Sequence, residues 1–196
     1  MSTEDFLLQT ARFIGIAGLM LFIVSGVGGA LMASRTVQMI NVRWLRGKMF
    51  KYHRIVSLTG AALFLLHPIP MLFAPMTTGG MTIYHTLIPF VAPKQAVTIS
   101  LGIISFWILL VVSITSILIK YMRRDWWRAI HYGTYIVIFL GLVHGLLISG
   151  EFKEGEIFDF GEPEKILLLV LSALALTLPV WRMFLAKYFT PKRKTG

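Results

Sequence analysis

Val97-Thr-Ile-Ser-Leu-Gly-Ile-Ile-Ser-Phe-Trp-Ile-Leu-Leu-Val-Val-Ser-Ile-Thr-Ser-Ile-Leu-Ile119 contains no charged residue. A helix of about 20 apolar residues spans the roughly 30 Å hydrocarbon core of a bilayer. Inside lipid a segment must satisfy its own backbone hydrogen bonds, so such a run reads as a transmembrane helix. Further apolar runs lie on both sides, at about 13–33, 54–75, 127–149 and 166–186. The chain as a whole is 56% hydrophobic, with a mean hydropathy of +0.74, against about 45–50% for an average soluble domain. The period-two alternation of an outer-membrane barrel is absent. The expected fold is therefore an all-α integral membrane bundle of about five transmembrane helices, with residues 1–196 forming one domain.

The first run, Phe13 to Ala33, is too long for a signal-peptide core and lacks a small-residue cleavage site. Its Gly26, Gly28 and Gly29 permit close helix packing. The second run opens on His53, contains His67, and then meets Pro68, Pro70 and Pro75, which are expected to kink or end it. Residues 76–94 are rich in Gly, Pro and Thr around the amphipathic stretch Met81–Ile88. They read as a re-entrant or interfacial segment.

The charges sort by loop. Residues 34–54, residues 120–128 and the tail from Arg182 hold 15 of the 19 Lys and Arg. The N-terminus, residues 76–96 and residues 150–165 hold 8 of the 9 acids. Basic loops face the cytoplasm, so the N-terminus is expected outside and the C-terminus inside, as an odd number of spans requires. The net charge of +10 is thereby a matter of topology and not of nucleic-acid binding. A small cysteine-free chain of this kind points to a prokaryotic cytoplasmic membrane. The lack of cysteine also excludes disulfides, thiolate-bound zinc or iron–sulfur clusters, and covalently attached heme. Any metal or heme must be held by His, Met, Tyr or carboxylates.

Four of the five histidines fall in two of the expected spans: His53 and His67 in one, His131 and His144 in another. A single intramembrane His reads equally as an interhelical hydrogen-bonder. Matched pairs are a stronger signal, because polar residues in lipid are costly and mark function. The spacings of 14 and 13 residues correspond to about 20–21 Å along a helix. Both helices start on the cytoplasmic side. His53 and His131 are then expected at an inner level, and His67 and His144 at an outer one. Each level offers two imidazoles, which complete a bis-histidine heme but not a catalytic zinc site. The expected cofactors are thus two heme b groups, with His53, His67, His131 and His144 as the metal ligands.

Helical phase complicates the second pair. Fourteen residues return to within about 40° of one face, whereas thirteen leave the side chain about 140° away. The fourth span therefore needs a kink, a bulge or opposed rotamers between His131 and His144. Gly60, Gly133, Gly141 and Gly145 lie on the histidine-bearing helices and could make room for a flat macrocycle or simply pack helices.

His53-Arg-Ile-Val-Ser-Leu-Thr-Gly…Leu-His67, Trp127-Arg-Ala-Ile-His131-Tyr-Gly-Thr-Tyr…Val-His144 and Leu101-Gly-Ile-Ile-Ser-Phe-Trp resemble the ferric reductase-like transmembrane domain. That family includes ferric reductases, NADPH oxidases and sulfoxide-reductase heme subunits. The resemblance covers about residues 50–148. It implies two b hemes and electron flow from the cytoplasmic side to an outer acceptor, with His53 and His131 inner, and His67 and His144 outer. It also implies an electron-transfer subunit of an oxidoreductase whose donor lies on a separate reductase subunit, a soluble flavoprotein or a quinol. The large members' FAD and NAD(P)H domain has no counterpart after the last expected helix, and the chain has one helix fewer than the usual six. A quinol-linked cytochrome b that anchors a dehydrogenase or hydrogenase, and a heme-free membrane anchor or assembly protein, are the other readings.

Arg54 and Arg128, with Lys51 and Arg124 nearby, adjoin the inner histidines. They could pair with heme propionates, contact lipid phosphates, or dock an acidic reductase. His85 reads as a solvated loop residue or as part of an outer acceptor or quinone site. Trp126, Trp127, Trp181, Tyr52 and Tyr121 match interfacial aromatic belts, and Trp107 does not. Tyr132, Tyr135 and Phe139 could pack on a heme or in the core.

Overall fold

In the computed structural model the described residues are 3–33, 43–74, 81–149, 163, 166–174, 177 and 180. They form α1 (Thr3–Ala33), α2 (Arg43–Leu66), α3 (Ile69–Phe73), α4 (Ile83–Leu87), α5 (Ala96–Ile117), a 3₁₀ turn (Ile119–Tyr121), α6 (Arg124–His131) and α7 (Gly133–Ser149). No strand occurs among the described residues. Four stretches, Phe6–Met32, Gly47–Phe73, Ala96–Ile117 and Arg124–Ile148, are long and apolar enough to cross a membrane. Most of the fifth expected span lies outside the described residues. Its described part, 166–174, is helical.

The bundle is built from two antiparallel pairs. α1 packs along α2, α5 packs along α7, and α1 joins the pairs by touching α7. At the centre, Leu19, Phe22 and Ile23 of α1 meet Leu109 of α5 and Val137, Ile138 and Leu142 of α7, with Leu168 and Leu171 closing the cluster. Phe22 and Phe64 cross edge to face at 5.2 Å. Deep in this core, Ser105 donates to the Val137 carbonyl at 3.1 Å, which satisfies a hydroxyl that would otherwise be stranded. The outward faces stay apolar: Phe13, Val24, Val97, Val111 and Ile117 are all exposed. In a soluble protein such a surface would aggregate, whereas here lipid meets it.

The helix breaks follow the sequence chemistry. α2 stops at Leu66, and the chain turns through His67 and Pro68 before α3 resumes with Pro70 near its start, as expected of residues that lack an N–H. The fourth span is interrupted at Tyr132. There Tyr135 N–H bonds the Tyr132 carbonyl at 3.1 Å, three residues back. The Thr134 hydroxyl takes up the His131 carbonyl instead.

Residues 81–95, expected as a re-entrant or interfacial segment, hold the short helix α4 and fold back on α5. Trp107, midway along α5 and half-exposed, donates its indole N–H to the Leu87 carbonyl at 2.9 Å. Phe90 N–H bonds Ser100 Oγ at 2.6 Å. These two bonds tie the segment against α5 and explain a tryptophan away from either interface. Phe90 and Gln95 carry the reversal at φ of 67° and 53°, a region that side chains other than glycine seldom occupy.

Candidate heme-ligand site

The four intramembrane histidines meet in two pairs. His53 faces His131 with ring centres 6.3 Å apart and planes crossing at 70°. His67 faces His144 at the same 6.3 Å, with planes at 83°. Each pair joins the second span (Gly47–Phe73) to the fourth, yet α2 and α7 are not a packed pair: each lies along its own partner, α1 or α5. The histidine-bearing helices are thus held apart, with imidazoles reaching into the gap.

The partners of Nδ1 decide what each imidazole can offer. His67 Nδ1 lies 2.7 Å from the Ala11 carbonyl, and His144 Nδ1 lies 2.8 Å from the Thr98 carbonyl. His53 Nδ1 lies 3.0 Å from the Ser25 carbonyl and 2.9 Å from Ser25 Oγ. A carbonyl can only accept, so in these three rings Nδ1 carries the proton and Nε2 keeps its lone pair. Metal-bound histidines are oriented in this way, by a second interaction at the far nitrogen. His131 differs, with Ser116 Oγ 3.4 Å from its Nδ1 and Trp127 stacked on its face at 4.9 Å and 23°.

A repeated local device brings the rings to those carbonyls. A Cβ on Gly15 would stand 2.8 Å from His67 Nδ1, one on Gly102 3.0 Å from His144 Cε1, and one on Gly29 3.3 Å from His53 Cε1. In each case the glycine follows the accepting residue by four positions: Ala11 and Gly15, Ser25 and Gly29, Thr98 and Gly102. Four residues is one helical turn, so the glycine sits beside the carbonyl of residue i and leaves space for the imidazole. Ser116 holds the fourth seat, 14 residues after Gly102, as Gly29 lies 14 after Gly15. The two helix pairs therefore repeat one design, which was not visible as a sequence repeat.

Around the outer pair lies a cavity of about 430 Å³, lined by His67, His144, Gly15, Gly102, Gly141 and Gly145, with Phe64, Met71 and Phe106. That size is ordinary for a small-molecule or cofactor site. Met81, Ile83, Thr86 and Leu87 of the 81–95 segment line it too, and Arg12 brings a positive charge to its lining. Gly141 and Gly145 thus open space at the outer level. Gly60 packs instead against Leu21 and Phe22, and Gly133 against Ile108 and Val112, so both serve helix packing. Among the described residues no three His, Cys, Asp or Glu converge as a metal-holding group. The histidines come only as pairs.

The other predicted residues divide. Arg54 follows His53 directly, Arg128 precedes His131 by about a turn, and both are exposed. His85 belongs to the capping box of α4, paired with Thr82, and is not in the cavity lining. Tyr132 and Phe139 are exposed on the outside of the bundle. Trp127, expected in an aromatic belt, stacks on His131 of the inner pair.

Membrane-spanning helices, with no strand among the described residues, define an all-α integral membrane protein. Residues 11–142 match the ferric reductase like transmembrane component, and the chain belongs to that family. The match begins at Ala11, which accepts from His67, and ends two residues short of His144. No curated protein and no solved structure matches the chain.

Proposed function

We propose that this chain is a di-heme b-type membrane cytochrome. It carries electrons across the membrane, from a cytoplasmic flavoprotein, reductase subunit or quinol to an acceptor on the outer side. Residues 1–196 act as one heme-binding domain with the N-terminus outside and the C-terminus in the cytoplasm, in a prokaryotic cytoplasmic membrane. His53 and His131 hold the inner heme, and His67 and His144 the outer one.

The observation that carries this reading is the separation of the paired rings. An imidazole nitrogen lies about 2.0 Å from a bound metal and about 1.1 Å from its own ring centre, so two imidazoles across one ion have centres about 6.2 Å apart. Both pairs stand at 6.3 Å. The carbonyls at Nδ1 and the gap between α2 and α7 support the same reading. Bound heme supplies a one-electron couple, and the protein supplies ligation, orientation and electrostatics. Ala11, Ser25 and Thr98 hold three imidazoles in the ligating tautomer. The apolar core between the levels keeps water out. Arg54 and Arg128, on the basic side, are placed to meet inner propionates or an acidic donor.

Transport is tested in proteoliposomes loaded with ferricyanide and given dithionite outside. The wild-type protein should reduce the trapped ferricyanide, and His67→Ala and His53→Ala should abolish that reduction. Equal rates in protein-free vesicles and in all variants would refute transmembrane electron transfer.

A further inference from the structure

The inner pair has a neighbour whose chemistry is incomplete. Trp127 lies four residues before His131 on α6, hence on the same face, and stacks on its ring. Its indole nitrogen is buried and has no hydrogen-bond partner among the described residues. An indole N–H can only donate, and a buried donor without an acceptor bears its full desolvation cost. Native structures rarely leave such a group unmatched. The acceptor does not come from nearby acids: Asp125, the one acid in the 120–128 segment, is exposed. What fits an orphaned, donor-only group next to a metal ligand is an acceptor that arrives with the ligand's metal group.

We propose that the Trp127 indole N–H donates to a carboxylate of the heme held between His53 and His131, while its ring face fixes the plane of the His131 imidazole. The inference rests on the di-heme reading. Trp127 is a positioning residue and not a ligand. By stacking on the His131 ring it also orients that imidazole, as the carbonyls at Nδ1 orient the other three.

Trp127→Phe keeps an aromatic face and removes the donor, whereas Trp127→Leu removes both. The readout is a potentiometric titration of the purified protein, with the inner component assigned as the one that survives in His67→Ala. Trp127→Phe should move the inner midpoint to lower potential, because a carboxylate without its donor keeps more negative charge beside the iron and favours the ferric state. The outer midpoint should stay in place. Trp127→Leu should add a change in the low-spin electron paramagnetic resonance signal of the inner component as the imidazole plane is released. Ultraviolet resonance Raman of the wild-type protein, heme-loaded minus heme-depleted, needs no variant and should show one indole N–H becoming hydrogen-bonded on loading. Two hemes with unmoved midpoints in Trp127→Phe and no Raman change would overturn the role of Trp127 and leave the di-heme reading standing. A folded wild-type protein that takes up no heme would overturn both.

Discussion

His67 and Gly15 fit edge to backbone: a single methyl at Gly15 would lie 2.8 Å from the imidazole Nδ1, while that nitrogen donates to the Ala11 carbonyl one turn away. The same fit recurs for His144 on Gly102 and His53 on Gly29, with growing clearance. The glycines on α1 and α5 are thus as much part of the histidine site as the helices that carry the rings.

The clearances order the effects of alanine. Overpacking a tight site costs about 1–3 kcal/mol, and each 1.4 kcal/mol is about tenfold in an equilibrium. Gly15→Ala should weaken heme retention at the outer level by about tenfold or more. Gly102→Ala should follow, and Gly29→Ala should do least, at the inner level. Pyridine-hemochrome titration during graded heme extraction measures the order. Equal retention in all three variants would mean the seats are not tight.

The interruption at Tyr132 gives a second test. Thr134→Val removes the hydroxyl that takes up the His131 carbonyl, at a cost of about 1 kcal/mol of stability. It should lower the thermal midpoint in detergent and alter the inner heme's low-spin signal, leaving the outer one unchanged. An unaltered inner signal would show that the break positions nothing.

Ser105→Ala serves as the contrasting case. Its hydroxyl bonds the Val137 carbonyl between two fully buried residues, in the core and not at the histidines. About 1 kcal/mol of stability should be lost, with heme content and spectra as in the wild type. A spectral change would mean that the core and the histidine levels are coupled.

Orientation can be read chemically because the chain has no cysteine. Lys94→Cys and Arg124→Cys place single thiols on exposed residues that precede and follow α5. A membrane-impermeant maleimide should label Lys94→Cys in intact cells and Arg124→Cys only after permeabilisation. The reverse pattern would invert the topology.

The spans, the four histidines and the need for a break between His131 and His144 were legible because they follow from run length and helical phase. A straight helix leaves thirteen residues about 140° short of alignment; a three-residue turn advances about 120° per residue instead of about 100°, so the tightened turn at Tyr132 shifts phase in the required direction. The role of α1 was not legible from its composition, since backbone carbonyls leave no mark on sequence. One signal was there: Gly15 and Gly29 stand 14 residues apart, the spacing of His53 and His67, as an antiparallel neighbour requires. The stacking of Trp127 on His131 was not legible, because an indole near a span end matches an interfacial belt equally well. For Gly60 and Gly133 the sequence left heme room and helix packing open, and the packing reading holds, since a glycine on a histidine-bearing helix can open its other face to a packing partner.

The central claim is that each histidine pair holds one heme. Its most direct test is the number of heme b groups per chain, by pyridine hemochrome with a dithionite-reduced minus oxidised spectrum, in the wild type and in His67→Ala and His53→Ala. The account predicts about two per chain in the wild type and about one in each variant, the survivor differing between them. A folded wild-type protein that remains heme-free when offered heme, or histidine variants that keep the full complement, would contradict it.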